Sequence, residues 1–462
     1  MDEKSVAWNT YLNIIIANIL ISSGDVSVTW TSSAYPKLYS NDTSVNPLQR
    51  PISPSQDDVL GSILIVGAIL GPWPFGIIAD RFGKKKILLL LALPHIISFL
   101  ILGLAKNIYL FYFARFVAGF GLGAGYYLVP SYVAEIAKSS HRGGMVGVTN
   151  VFWCLGDFLS LVIGTYTNFS NYNFSLMCFP MVFVVLFVWL GIESPYYLMS
   201  RRKEEAARKS LMRLRSNNHE EVTKELKSVE YFLRLHQDGK FFDMIKDEIL
   251  RKNILISMFL LVCLTCSGFW GLTFHLELIF ESCSFSLTPD TSAVIVGGVL
   301  LISSLFTPVL LDKFGRKPLL ITSFCGMHVS LIILGIYFSI SRMEVLASTP
   351  LFCLALYLAS FNVGACIIPW ILISELFPNK FKNAVASYCT TLFWLVNCLV
   401  TFNFNKLHGT IGMNGIFYFH GVWCLIGAVF GYFFVPETKG KDFSDIQQMF
   451  NEGIEENRTF EI

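Results

Sequence analysis

The 462-residue sequence has few charged residues. They make up 15% of the chain, whereas a soluble protein of this size has about 25%. An excess of one charge is also lacking, because 35 basic residues nearly balance 33 acidic ones. This balance gives no reason to expect a nucleic-acid partner. The composition therefore argues against both a large soluble enzyme and a disordered chain.

Motifs for covalent chemistry are missing as well. The 11 cysteines are scattered, so neither a disulfide framework nor a metal-binding spacing is visible. No Ser/His/Asp or Cys/His set stands out. The glycines of segment 115–125 loosely resemble a dinucleotide-binding loop, but no strand precedes them. We expect no enzymatic activity, no cofactor and no bound metal.

Apolar residues, in contrast, are abundant and occur in long runs. They form 53% of the chain, and Phe alone accounts for 41 residues. A helix that spans a membrane needs about 20 mostly apolar residues. Twelve stretches meet this condition: 8–29, 57–78, 87–104, 108–134, 145–166, 175–192, 253–280, 291–311, 318–340, 347–374, 385–405 and 415–435. The sequence therefore predicts an all-α protein embedded in a lipid bilayer.

Most of the 35 basic residues fall on one side of these predicted spans when the N-terminus is placed inside. The exceptions in predicted outer loops are Lys37, Arg50, Lys106, Arg342 and Lys406. Because cytoplasmic loops carry the positive excess, we expect both termini in the cytoplasm.

Three glycosylation sequons agree with this orientation. They begin at Asn41, Asn168 and Asn173, and all three lie in predicted outer loops. We expect glycans on these asparagines.

Three pairs of segments recur at nearly one offset, which indicates an internal duplication. The pairs are 80–85 with 312–317, 130–135 with 369–375, and 193–195 with 436–438. Such a repeat predicts two six-helix halves in the same orientation, related by an axis along the membrane normal. The predicted units are a first bundle over 1–192, a linker over 193–252, a second bundle over 253–435 and a cytoplasmic tail over 436–462.

The linker is the one long polar block. Segment 201–215 is typical of a basic amphipathic helix, and segment 220–235 is typical of one with mixed charge. Such helices could bind lipid headgroups or lie as a bracket across both bundles. The mixed charge favours the bracket.

Charged residues at the inner ends of the spans are candidate gates. Charges near a bilayer are costly unless they are paired, and pairs that break as the halves move would control opening. The candidates at the inner ends are Asp80, Arg81, Glu135, Arg142, Glu193, Asp312, Arg316, Glu375, Lys382 and Glu437, and Arg115 inside span four is a further candidate.

Two acids fall inside predicted spans. Asp25 and Asp157 are expensive there unless they face water or a partner. They are candidate proton carriers, or else hydrogen-bonded caps at helix breaks beside Gly24 and Gly156.

The motifs in combination resemble those of sugar porters of the major facilitator superfamily, over essentially the whole length. Segments 30–38 and 67–72 look most like the insect facilitated trehalose transporters. The resemblance implies a plasma-membrane carrier for a small solute, a hexose or a disaccharide such as trehalose. Alternating access and facilitated diffusion are the implied mechanism. The sequence indicates no oligomeric state.

The resemblance also implies which residues line a central cavity. They are Asn150, Trp153, Thr265, Trp270, His275, Asn362, Trp370, Trp394 and Asn397. Tryptophan faces can stack on a sugar ring or on a cationic ligand, although each could equally serve packing.

The sequence departs from the family where sugars are bound. Span seven of the family reads Gln-Gln-Leu-Ser-Gly-Ile-Asn, and here segment 264–270 lacks those amides. In span eight, Leu300 replaces the usual amide. Each neutral hydrogen bond contributes about 0.5–1.5 kcal/mol, so this loss weakens binding of an ordinary hexose. Two alternatives stay open: a sensor that no longer transports, and a carrier of a non-sugar solute.

Overall fold

The computed structural model describes residues 8–138, 142–215, 218–235, 247–283, 287–340, 348–377 and 379–439. Four side chains predicted to act as gates lie outside the described residues. They are those of Asp80, Arg142, Asp312 and Lys382.

Eight helices build the first half of the chain. They are α1 (Trp8–Asp25), α2 (Trp30–Tyr39), α3 (Pro54–Leu70), α4 (Pro72–Phe82), α5 (Lys84–Leu104), α6 (Ile108–Ile136), α7 (Arg142–Tyr166) and α8 (Phe169–Leu190). Helices α1 and α2 belong to one span, and α3 and α4 to another. The break between α3 and α4 lies at Gly71 and Pro72, where proline cannot supply the backbone N–H of a continuous helix.

Three shorter helices form the linker: α9 (Pro195–Ser200), α10 (Glu204–Leu214) and α11 (His219–Leu235). The second half comprises α12 (Glu248–Cys266), α13 (Phe269–Phe274), α14 (Leu276–Glu281), α15 (Pro289–Phe314), α16 (Arg316–Ser339), α17 (Thr349–Ser360), α18 (Ile368–Glu375), α19 (Asn379–Phe402) and α20 (Phe404–Phe434). A π-helical turn, Phe361–Ala365, joins α17 to α18.

The described chain contains 12 helical stretches long and apolar enough to cross a membrane. This confirms the predicted number of spans. Many large apolar side chains point outward, such as Trp189 at 78% and Phe433 at 70% exposure. Such exposure suits a surface that faces lipid.

Span seven is broken, although the sequence predicts one continuous helix over 253–280. Gly268 separates α12 from α13 with a φ of 89°, a left-handed conformation that favours glycine. A Cβ at this position would also lie 2.5 Å from the ring of His420. Both constraints make glycine necessary at the break.

Helices α3 and α6 pack with their backbones in contact, as the glycines of α6 predict. A Cβ on Gly119 would overlap the carbonyl oxygen of Leu64, and one on Gly123 would overlap that of Ala68. Small residues at this spacing allow helices to approach closely. The glycine face of segment 115–125 thus has a packing function.

Hydrogen bonds join the linker to the first half. The Thr10 hydroxyl donates to the carbonyl of Leu214 at 2.7 Å, and the Arg215 guanidinium donates to the carbonyl of Ile136 at 3.0 Å. Arg215 also pairs with Glu225 at 2.7 Å. We call this end of the molecule the linker side and the opposite end the distal side. A bracket that also holds the second half stays a prediction.

Candidate functional site

A half-buried carboxylate organises the linker side of the first half. Glu193 Oε1 accepts hydrogen bonds from the backbone N–H groups of Lys85 at 3.0 Å and Ser194 at 2.9 Å. It thereby caps the beginning of α5, where four N–H groups lack partners within the helix. Gly83 makes the preceding turn with a φ of 96°.

The second half repeats this arrangement. Glu437 Oε1 accepts from the N–H of Arg316, and Oε2 accepts from that of Lys317, both at 3.1 Å. Gly315 makes the turn before α16 with a φ of 83°. The duplication seen in the sequence therefore places a capping carboxylate at the same point of each half.

The two carboxylates differ in acidity. Burial raises the pKa of Glu193, and the N–H groups of Lys85 and Ser194 only partly oppose it. Burial also acts to raise the pKa of Glu437. There, however, the N–H groups of Arg316, Lys439 and Lys317 outweigh it, so the pKa lies below the usual value.

Each half also contains an ion pair at an equivalent place on the linker side. Lys84 Nζ lies 2.6 Å from Glu135 Oε1, and Arg316 Nη2 lies 2.9 Å from Glu375 Oε1. The remaining carboxylate oxygen of each acid accepts from a hydroxyl, that of Ser194 or Thr438. The structure thus places three predicted gate residues, Glu135, Arg316 and Glu375, in two equivalent pairs, each within one half. Lys84, which was not predicted, completes the first pair.

Two other predicted gate residues have different surroundings. The backbone carbonyl of Arg81 accepts from the Tyr197 hydroxyl at 3.0 Å. Arg115 is fully buried, away from the linker side, and donates to the carbonyls of Leu60 and Ser27. Within the described residues it forms no ion pair, and its guanidinium lies 5.0 Å from the ring centre of Trp30. A gating role for Arg115 stays a prediction.

Aromatic side chains from both halves meet at the centre of the molecule. Tyr126 of the first half contacts Trp153 at 5.8 Å and Trp394 of the second half at 5.5 Å, measured between ring centres. We call this group the central aromatic cluster; it consists of Tyr126, Trp153, Phe269, Trp270, Phe361, Trp370, Phe393 and Trp394. Four tryptophans predicted to line the cavity are thus brought together.

The central amides bond to one another across the halves. Asn150 Nδ2 lies 3.4 Å from Asn362 Oδ1, and Asn362 Nδ2 donates to the carbonyl of Leu300 at 2.7 Å. Asn362 lies in the π-helical turn between α17 and α18. Such turns are frequent at functional sites.

Two predicted polar contacts turn toward their own helices. The Thr265 hydroxyl donates to the Leu261 carbonyl at 3.0 Å, and Asn397 Nδ2 donates to that of Phe393 at 3.0 Å. Asn397 Oδ1 and Trp394 Nε1 are buried with no hydrogen-bond partner in the described part of the chain. Buried polar groups are normally paired, so these two atoms could serve a solute or a water molecule.

The two acids within the spans lie side by side in the first half. The Tyr126 hydroxyl donates to Asp25 Oδ1, and the Thr29 hydroxyl donates to the backbone carbonyl of Asp157 at 3.2 Å. Both side chains are buried, and one oxygen of each has no partner among the residues described. This geometry is compatible with either predicted role.

His275 lies at the distal side and not in the central cavity where we expected it. Its Nε2 is 3.2 Å from Oδ1 of Asp57, which belongs to the first half. Asn405 Nδ2 also donates to Asp57 Oδ2, at 3.1 Å. His275 directly follows α13 near the distal end of span seven and lies outside the central aromatic cluster. Its contact with solute stays a prediction.

A second polar contact joins the halves nearby. The Ser33 hydroxyl donates to Glu277 Oε1, and the backbone N–H of Glu277 donates to Ser32 Oγ at 3.2 Å. Our sequence analysis missed Asp57, Glu277, Asn405 and the two serines. Two signals were available in the sequence: Asp57, an acid near a span end, and a polar run in span one.

The predicted glycan acceptors differ in exposure. Asn41 and Asn168 are exposed. Asn173 is buried within α8, where its Oδ1 accepts from Trp30 Nε1 at 2.9 Å. A buried amide cannot carry a glycan, so the prediction for Asn173 is wrong.

Comparison with known proteins identifies similar chains. Residues 22–450 match the family described as "Sugar (and other) transporter". The chain is 30% identical over 448 residues to the facilitated trehalose transporter Tret1 of Polypedilum vanderplanki, covering 94% of this chain and 87% of that one. The Tret1 of Culex quinquefasciatus is also 30% identical, over 96% and 87% of the two chains. The chain spans only 48% of the Drosophila virilis Tret1, to which it is 29% identical.

Among solved structures, the xylose transporter XylE from E. coli is similar in fold. Its partially occluded inward-open conformation superposes with a TM-score of 0.77 at 23% identity, over 94% of this chain and 100% of that one. XylE bound to 6-bromo-6-deoxy-D-glucose gives a TM-score of 0.74 at 22% identity, over 95% and 98%. These matches confirm the all-helical major facilitator fold. With the family match over most of its length, the chain belongs to the sugar transporter family of the major facilitator superfamily.

Proposed function

We propose that the protein carries a hexose or a disaccharide such as trehalose across the plasma membrane by facilitated diffusion. Its two halves rock about a central site, and the linker side faces the cytoplasm together with both termini. The relatives named as facilitated trehalose transporters support this substrate class. The basic loops on the linker side support the orientation.

The proposal rests mainly on a difference between the distal side, where a contact joins the two halves, and the linker side, where each ion pair stays within one half. At the distal side, Asp57 and His275 join the halves. At the linker side, the pairs Lys84–Glu135 and Arg316–Glu375 each lie within one half. Alternating access needs halves that can separate at one side while they stay joined at the other. This state fits a carrier whose distal side is closed.

The central aromatic cluster supplies a binding surface for a sugar. Aromatic faces stack on the apolar faces of a sugar ring, and unpartnered polar atoms such as Trp394 Nε1 can bond to hydroxyl groups. A solute would enter between Tyr126 of the first half and Trp394 of the second, which are in contact in this state.

Uptake by reconstituted liposomes tests the proposal. Radiolabelled trehalose, glucose and fructose should each be tried, with and without a proton gradient. We expect saturable uptake of at least one sugar that a proton gradient does not drive. Uptake driven by the gradient would instead assign Asp25 and Asp157 a coupling role, and absence of any sugar uptake would overturn the proposal.

One observation favours a second candidate, a carrier of a less hydroxylated solute or a sensor without flux. Asn150 and Asn362 bond to each other instead of offering their amides to a sugar. Amphiphilic solutes added to the same uptake panel identify such a carrier. Sugar binding measured by calorimetry without uptake would identify a sensor.

A further inference from the structure

The contact between Asp57 and His275 contains a proton that the hydrogen-bond geometry locates. His275 Nδ1 lies 2.9 Å from the carbonyl oxygen of Gly271, which can only accept. Nδ1 therefore carries a hydrogen. Nε2 faces both oxygens of Asp57, at 3.2 and 3.3 Å. If the ring were neutral, the lone pair of Nε2 would point at the Asp57 carboxylate. A second proton must therefore lie between Nε2 and that carboxylate.

The other partners of Asp57 indicate that this proton resides on the imidazole. Asp57 Oδ2 accepts from the Tyr39 hydroxyl at 2.9 Å and from Asn405 Nδ2 at 3.1 Å. Donors to a carboxylate favour its ionised form. His275 is therefore an imidazolium paired with a carboxylate, and both side chains are buried.

The groups around the ring are consistent with a positive charge. From α3, Asp58 adds a second carboxylate, which accepts from Asn405 Nδ2 at 3.0 Å. From α2, Tyr35 and Tyr39 face the site, with the Tyr35 ring centre 5.3 Å from that of His275. On the C-terminal side, Glu277 bonds to Ser33, and the Phe404 ring stacks on the imidazole at 4.2 Å. The nearby cation Arg115, 6.0 Å from the ring centre of Phe274, donates to backbone carbonyls.

We propose that Asp57 and His275 form a proton-dependent latch that holds the distal side closed. Asp57 belongs to α3 of the first half, and His275 lies between α13 and α14 of the second, so opening must separate them. An exposed histidine titrates near pH 6.5 and loses its proton at neutral pH. The latch binds one proton on closing and releases it on opening. The inference rests on the alternating-access mechanism proposed above.

The latch differs from proton symport in its direction of proton flow. The proton enters and leaves through the distal side, so the latch moves no charge across the membrane. Raising the distal pH favours the open state. For one linked proton, the ratio of open to closed molecules rises by up to about tenfold per pH unit.

Cysteine labelling measures the latch directly. Thr401 of α19 is buried, and its methyl group lies against Gly61 of α3, where the halves meet. In a Thr401→Cys protein in lipid nanodiscs, the new thiol is covered while the distal side is closed. Its reaction with a charged maleimide at pH 6, 7 and 8 can be followed by mass spectrometry of the peptide.

The comparison is with the same protein carrying His275→Gln. The glutamine amide donates to Asp57 without titrating, so pH then alters only the thiol chemistry, which is common to both proteins. Between pH 6 and 8, we expect the labelling rate of the Thr401→Cys protein to rise. This rise should be about tenfold or more greater than the rise in the protein that also carries His275→Gln. Asp57→Asn should abolish this excess too, because a neutral His275 can accept from the new amide.

An exposed histidine on the same side provides the matched control. His408→Gln should keep the full pH dependence of the parent protein. Folding of every variant is checked by gel filtration, and Asp57→Asn provides the test if His275→Gln does not fold. Equal pH dependence in the parent and in either latch variant would overturn the latch. The assay needs no transported solute, so failure of the proposed function would appear separately, in the uptake panel.

Discussion

At the scale of single residues, Glu193 and Glu437 hold equivalent positions but opposite pKa shifts. An unfolded glutamate titrates near pH 4.3. The lowered pKa of Glu437 stabilises the fold above that value, and this contribution is lost as pH falls through the folded pKa. The raised pKa of Glu193 has the opposite sign: its contribution is present below pH 4.3 and is lost as pH rises through the folded pKa.

The two substitutions to glutamine should therefore differ in pH dependence. We expect Glu437→Gln to lower the Tm more at pH 7 than at pH 4, and Glu193→Gln to lower it more at pH 4 than at pH 7. Thermal unfolding in detergent, followed by circular dichroism, measures both. Glu205→Gln at an exposed linker position is the control. The same pH trend in both variants would contradict the assignment.

The burial of Asn173 makes a second prediction at this scale. We expect Asn41→Gln and Asn168→Gln each to remove one glycan, because both side chains are exposed, whereas Asn173→Gln removes none. Electrophoretic mobility in protein expressed in insect cells, with and without glycosidase, reports each change. A protein with no glycan at either exposed site would argue against the proposed orientation.

At the scale of elements, the contact between α3 and α6 depends on two glycines. An added Cβ on Gly119 or Gly123 meets a backbone carbonyl that cannot move aside. Overpacking of this kind costs about 1–3 kcal/mol. We expect Gly119→Ala and Gly123→Ala to lower the Tm and the yield of monodisperse protein.

Gly125 of the same helix is the matched control. A Cβ there meets no atom within 4 Å, and alanine favours a helix over glycine by about 1 kcal/mol. Gly125→Ala should therefore leave the Tm unchanged or raise it. Equal losses in all three variants would show that the glycines serve flexibility and not close packing.

Elements were predictable from the sequence where the signal is local. Apolar runs revealed twelve spans, and the recurrence of segment 80–85 at 312–317 revealed two halves. The break at Gly268 was not predicted, because a single glycine in an apolar run is compatible with a continuous helix.

At the scale of the whole molecule, the linker-side ion pairs should set the rate of conformational exchange. A hydrogen bond to a charged group contributes about 1.5–3 kcal/mol, and 1.36 kcal/mol corresponds to a tenfold change. We expect Glu135→Gln and Glu375→Gln each to slow uptake about tenfold while the Kd of the solute changes less than threefold. Initial uptake rates and calorimetry measure the two quantities. Unchanged uptake would contradict a gate role.

Contacts between the halves were the part that the sequence could not reveal. Asp57 and His275 are 218 positions apart, and neither has a motif that names its partner. Only the packing of the two bundles brings them together. The amides Asn150 and Asn362 show the same limit, because their types predicted polarity at the centre but not that they bond to each other.

The central aromatic cluster has an optical consequence. Trp394 of the second half touches Tyr126 of the first, and Trp153 of the first touches Phe361 of the second. The emission of an indole depends on its neighbours and on contact with water. Movement of the halves therefore changes the intrinsic fluorescence of the protein, and its conformational cycle can be followed in time without any attached dye.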